Sequence, residues 1–219
     1  MNRPILIDMY SDMVCPWCYL GKRRLGAALR QCPDLVVSLN FKPYELNPDL
    51  PLEGMDRAVY MAQKFPDARR VAAIHRQLLE HGQAVGIRFN FDAIRRVPNT
   101  RLAHRLVALA GEHAPLLSEA IFTAYFEQGE DIGQLDRLLA IATRVGLKAA
   151  ELREALALAA ADSLVEDELA EGRRLGIQGV PFFVIAGRWA ISGAQDTAQW
   201  VAALREIGNR LQGEHPTEP

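Results

Sequence analysis

The period of apolar and polar positions changes five times along the chain, and those changes divide it. Ile5 to Tyr10 is a short β-rich run that breaks at Ser11-Asp12, the pattern of a buried strand ending in a loop. From Pro16 the period becomes helical. Leu20, Leu25, Ala28 and Leu29 lie on or near one face, Lys22, Arg23 and Arg30 fall mostly elsewhere, and Cys32-Pro33 ends the run. Leu35 to Phe41 reads as a second strand, with Pro43 just beyond it. A β-α-β opening favours a parallel pair, because the crossover helix brings the chain back in its original direction.

The stretch Lys42 to Gly54 carries Pro43, Pro48, Pro51 and Gly54 and marks a boundary. Helical spacing then predicts helices over Asp56 to Phe65, Asp67 to Val85, Thr100 to Ala110, Leu117 to Gln128, Gln134 to Val145 and Leu147 to Ala160. Strand character returns only at Val180 to Ala186 and Trp189 to Ser192, and the Gly187-Arg188 between them signals a compact hairpin. Asp196 to Leu211 reads as a last helix capped by Asp196 or Thr197, followed by a frayed tail over Gln212 to Pro219. The order β-α-β, helices, β-β-α predicts a small α/β sheet with an inserted helical part.

Composition narrows the function classes. With 219 residues, 49 % of them hydrophobic and 24 % charged, the chain is an ordinary globular protein long enough to bury a core without staples. Its 25 Lys plus Arg against 27 Asp plus Glu remove the basic footprint of a protein that tracks phosphates, so no nucleic-acid partner is expected. The longest apolar stretch, Ala155 to Ala161, is far short of the ~20 residues of a spanning helix, so no membrane partner is expected either. Asp8 interrupts the first apolar run before a signal-peptide core could form, which makes the cytoplasm the expected location. Three cysteines do not make a disulfide framework.

Cys15-Pro16-Trp17-Cys18 is a C-x-x-C placed where a strand hands over to a helix. A helix start offers unpaired N–H groups and the positive end of the macrodipole, so a sulfur there is expected to be more acidic than a free thiol. Cys15 is thereby the expected nucleophile. Cys18, one turn on, is near enough to close a small disulfide ring and becomes the resolving thiol. Pro16 suits the first helical turn, where its missing N–H costs nothing, and Trp17 adds apolar surface beside the sulfur. A zinc site would need two further ligands. The chain has no second C-x-x-C, and His75 and His81 are six apart, outside the common spacing, so no metal is assigned. A haem attachment would need His where Tyr19 stands. Cys32, 14 residues beyond Cys18, would be ~21 Å away along one helix, beyond disulfide reach, and reads as a free, partly buried thiol.

Several blocks in one order carry a resemblance. They are Asp12 to Gly21, Phe41 to Pro48, Asn99-Thr100 with Ala103 to Leu106, Ala124-Tyr125-Phe126 with Gly129, Gly146-Leu147, Gly179 to Phe183, and Gly193-Ala194-Gln195. Over nearly its whole length the chain resembles the DsbA-like thioredoxin-fold oxidoreductases, and within them the FrnE-like branch. The resemblance implies an α/β thioredoxin-like fold, residues 1–42 and 176–212, interrupted by a helical domain, residues 43–175. It implies disulfide exchange at Cys15 and Cys18, with no bound cofactor but an external thiol such as glutathione able to take part. It also implies a cis bond before Pro181, with Val180 presenting backbone to a substrate strand. A neighbouring branch, the 2-hydroxychromene-2-carboxylate isomerases and kappa-class glutathione transferases, is similar in architecture but typically has serine at the nucleophile position. This chain keeps both cysteines.

The expected activity is that of a protein disulfide reductase or isomerase acting on disulfide-containing proteins or small thiols. Its rivals are a glutathione-dependent isomerase or transferase and a binding protein whose C-x-x-C holds a metal. Expected substrate contacts are Pro16, Trp17, Val180, Pro181 and Asn99, although capping is the commoner use of an Asn-Thr pair such as Asn99 and Thr100 before a helix. His104, alone on a helix face, is not assigned to the chemistry. Tyr44, Phe89, Phe91, Tyr125 and Phe126 read as core aromatics, some of them lining a cleft between sheet and helices. Arg95-Arg96 and Arg173-Arg174 read as solvated faces. The family admits a homodimer, and no interface stripe stands out.

Overall fold

A computed structural model of the chain describes residues 4–213. Strand β1 (Ile5–Ser11) lies between β2 (Val37–Pro43), parallel to it, and β5 (Phe182–Ile185), antiparallel, and β6 (Trp189–Ser192) completes the order β2-β1-β5-β6. The crossover between the parallel pair is α1 (Pro16–Leu29), as the opening periodicity requires. β2 starts two residues later than the Leu35 to Phe41 expected, because Leu35 is taken up against Gly208 of the last helix, α9 (Thr197–Gly213). It ends on Pro43, which an edge strand accommodates since no ladder hydrogen bond is asked of that N. Gln212 and Gly213 close α9, and the rest of the tail expected over Gln212 to Pro219 lies outside the described residues.

Side chains alternate across β1 as the strand period demands. Met9 pairs with Phe183, which meets Trp200 of α9 edge-on at 4.7 Å, while Gly21 lets α1 approach until its hydrogen points at Pro181 and Phe183. Tyr10 faces the other way and receives Gly172 of α8 (Ala159–Arg174) on its ring. Lys42, paired with Tyr10 in the sheet, reaches Glu168 and Glu171 of that helix at 3.0 and 3.3 Å. The sheet is thus covered on both faces, and one continuous apolar cluster runs through sheet and helices.

Between β2 and β5 come α2 (Arg57–Lys64), α3 (Ala68–Ala84), α4 (Arg101–Leu109), α5 (Ala114–Phe126), α6 (Leu135–Arg144), α7 (Ala149–Ala157) and α8. Asp56 and Asp67 start α2 and α3 by accepting two backbone N–H bonds each, at 2.8 to 3.1 Å. α8 was not expected, and the helix expected over Leu147 to Ala160 is cut short at Ala157. Extended backbone at Leu158 (ψ 140°) separates the two, and only Ala161, Val165, Leu169 and Gly172 of α8 are buried, too thin and small a stripe among acidic residues to read as amphipathic. A two-residue ladder, β3 (Met55–Asp56) with β4 (Arg96–Val97), was also not foreseen; strands that short have no period. The hairpin turns on Ala186-Gly187, both at positive φ (50° and 67°), not on Gly187-Arg188. No helix among the described residues is long and apolar enough to cross a membrane.

Candidate active site

The loop leaving β1 delivers Cys15 to the N-cap of α1, with extended backbone (φ −94°, ψ 111°) and Pro16 at the first helical position. The Cys15 carbonyl accepts from Cys18 N at 3.0 Å and Tyr19 N at 3.3 Å, and Cys15 N donates to the Asp12 carbonyl at 3.0 Å. Its thiol is 3.7 Å from the carbonyl oxygen of Val180, toward which it donates, and the Val180–Pro181 peptide bond is cis. One turn on, Cys18 has no exposed surface. Burial, and then the Cys15 side chain beside it, hold the Cys18 thiol well above the ordinary range, although the Asp12 backbone N–H faces it and acts in the opposite sense. The two sulfurs therefore differ in access: Cys15 faces the cavity, and Cys18 is sealed behind it.

Asp12 is buried and does more than end a strand. Its carboxylate accepts from Leu46 N at 2.7 Å and Val14 N at 3.5 Å, and lies 3.5 Å from Nε2 of the buried His104, itself 3.2 Å from the Tyr44 carbonyl oxygen. The pair pins the Pro-rich loop after β2 beside the cysteines. Asn99 is not brought to them. Its amide donates to the Leu50 carbonyl at 2.7 Å and its oxygen accepts from Arg101 N at 3.0 Å, so it caps and ties a loop, while Thr100 occupies the N-cap without a side-chain bond. Cys32 is fully rather than partly buried, and lies beyond the end of α1. All three cysteines are free thiols, and no group of three or more His, Cys, Asp or Glu among the described residues is placed to hold a metal ion.

A cavity of about 360 Å³ opens over Cys15. Cys15, Pro16, Trp17 and Val180 form one end, so four of the seven residues expected at the site line it; Cys18, Pro181 and Asn99 do not. Phe91, Tyr125 and Phe126 line the wall, and Tyr60, Met61, Val71 and Ile74 of α2 and α3 close the roof. Of the five aromatics singled out, Tyr44 and Phe89 do not reach it. Three cationic or titratable side chains also enter: Arg57, Lys64 and His75. His75 stacks on Phe91 at 4.2 Å, and burial, followed by the charge of Arg57, keeps its pKa below the usual imidazole value. Neither Arg57 nor Lys64 has a motif around it that could have marked it in the sequence; Asp56 betrays only the helix start. Arg96 and Arg173, read as solvated, pair with Asp131 at 3.7 Å and Glu166 at 2.7 Å.

The model of the DSBA-like thioredoxin domain family matches residues 6–205. The uncharacterized protein YwbO of Bacillus subtilis (strain 168) is 27 % identical over 191 residues, 86 % of this chain and 90 % of its own length. Among solved structures, a probable DsbA oxidoreductase from Streptomyces coelicolor superposes with a TM-score of 0.83 at 28 % identity, covering 98 % of this chain and 93 % of that one. The cytosolic disulfide reductase DsbM of Pseudomonas aeruginosa, solved with GSH, gives a TM-score of 0.66 at 19 % identity over 93 % of this chain and 99 % of that one, a likeness of fold.

Proposed function

The chain belongs to the DSBA-like thioredoxin domain family, and on that premise we propose that it is a thiol–disulfide oxidoreductase, reducing or isomerising disulfides with Cys15 as nucleophile and Cys18 as resolving thiol. The observation that carries this reading is the asymmetry of the pair: Cys15 lines a cavity from a helix N-cap, while Cys18 is sealed behind it with its proton held by burial. The Cys15 thiolate attacks one sulfur of a substrate disulfide, a Cys15–substrate disulfide forms, and the other substrate half leaves as a thiolate that takes up a proton. Cys18 then gives up its proton and attacks the Cys15 sulfur. The second half leaves, and the protein holds the Cys15–Cys18 disulfide. The substrate has gained two electrons and two protons, and the protein dithiol has lost them. An external thiol, of the kind glutathione represents, returns the pair to the reduced form.

Val180 supports the reading from the other side, because its carbonyl oxygen is directed at the reacting sulfur and can position the backbone of a bound strand. Pro16 and Trp17 wall the approach to that sulfur. Cytoplasmic location follows the same reading, since a dithiol that must be returned to the reduced state suits a reducing compartment. The test is dithiothreitol-coupled insulin reduction. Wild type is expected to be active and Cys15→Ser inactive, while Cys18→Ser retains partners as mixed disulfides that a reductant releases. Activity unchanged in Cys15→Ser would overturn the assignment.

A further inference from the structure

Arg57 differs from the other buried cations of the fold. Arg24 meets Asp196 at 2.9 Å, Lys22 meets Glu119, and Arg101 reaches Glu166 and Asp162 at 3.0 Å each. The half-buried guanidinium of Arg57 has no ion pair or side-chain hydrogen bond among the described residues. It lies 5.8 Å from the centre of the Phe91 ring, and Asp92 acts on it only through space. Burial pulls its pKa down, a sign that the fold leaves this charge short of compensation. It sits in the wall of the same cavity as Cys15, together with Lys64, which is held by the Leu46 carbonyl and Asn47, and no acidic side chain lines that cavity. An unpaired cation in an apolar pocket costs free energy unless a ligand completes it.

We infer that the cavity binds a small disulfide or thiol bearing an aromatic or otherwise apolar body and a carboxylate, with the carboxylate on Arg57 and the sulfur at Cys15. This rests on the thiol–disulfide reading and narrows its substrate class. The apolar wall accepts the body of the ligand, and Arg57 donates a bidentate pair of hydrogen bonds to its carboxylate, the geometry for which guanidinium is suited. A cavity of about 360 Å³ lies at the small end of ligand sites, the size of a low-molecular-weight compound. A cationic disulfide finds no counter-charge there.

Stopped-flow oxidation of the reduced protein tests this with two aromatic disulfides, 5,5′-dithiobis(2-nitrobenzoate), which carries carboxylates, and 2,2′-dithiodipyridine, which does not. The expected result is that the ratio of the first rate constant to the second falls about tenfold in Arg57→Met, the order of one lost charge-assisted hydrogen bond, and is partly restored in Arg57→Lys. A ratio indifferent to both substitutions overturns the inference. A second measurement needs no variant: biphenyl-4-carboxylate should slow the wild-type reaction with dithiodipyridine, and the corresponding carboxamide should not. Equal inhibition by the two, or none by either, also overturns it. The two readings fail separately. A protein that forms no Cys15–Cys18 disulfide with either reagent loses the exchange assignment, whereas one that reacts with both at a ratio blind to Arg57 loses only the carboxylate site.

Discussion

The inserted helices are of two kinds, and α5 and α2 stand at the extremes. Seven of the thirteen residues of α5 are buried, and Phe122 and Phe126 stack on Tyr19 of α1 at 5.2 and 6.2 Å, so α5 is part of the core that supports the cysteine helix. Tyr19 is held there as well by hydrogen bonds to Thr123 at 3.0 Å and Glu127 at 2.7 Å, and burial pushes its phenol up to about 12. α2 has no buried residue at all. Tyr60 and Met61 of α2 turn toward the cavity, as does Phe65 just beyond its end, which remains 42 % exposed. α3 is intermediate, with only Leu78 and Gly82 buried. One part of the insertion carries stability, and the other forms a thin roof that a bound ligand would complete. Burial that a ligand can supply is burial the folded chain does not need.

The largest effect that would sharpen this contrast is expected in α5. Phe122→Ala removes a fully buried ring from the stack on Tyr19 and should lower stability by about 3–5 kcal/mol, read as the shift of the urea midpoint at constant slope. A loss under ~1 kcal/mol would break the division between core and roof. A smaller effect belongs to the anchorage of the roof. A methyl group on Gly82 would fall 2.7 Å from the Phe89 ring, so Gly82→Ala should cost about 1–3 kcal/mol by overpacking and raise amide exchange in α3 ahead of the sheet. Exchange rising equally in β1 would mean that α3 unfolds only with the whole. The smallest effect on stability is expected within the roof itself. Met61→Ala should leave unfolding within ~0.5 kcal/mol of wild type, yet raise KM for an aromatic disulfide because cavity wall has been removed. A stability loss of several kcal/mol there would place α2 in the core.

The same contrast explains what could be read from the chain. β1, α1, the β5–β6 hairpin and the C-x-x-C are legible because their signals are local: an apolar run, a proline at a helix start, two sulfurs one turn apart. Most of the inserted helices could be outlined for the same reason. α8 could not, since its buried stripe of Ala161, Val165, Leu169 and Gly172 gains meaning only against α4 and the sheet face that Tyr10 and Lys42 present. Asn99 kept two readings in the sequence because a polar residue before a helix has two uses, capping and substrate contact, and the cap on Arg101 N with the bond to the Leu50 carbonyl shows the first of them. Asp12 read as the end of a strand, and its hold on Leu46 N needed the loop to return.

Alone, the amino-acid order determined that a strand would hand two cysteines to a helix start and that sheet residues would flank a helical insertion, because backbone propensity and side-chain period act over a few residues. Which sulfur faces the cavity, whether the arginine in the cavity wall meets a carboxylate, and which helix is core rather than cover were decided only by the tertiary structure. Access, desolvation and charge pairing are sums over neighbours distant in the chain, and no local pattern encodes them.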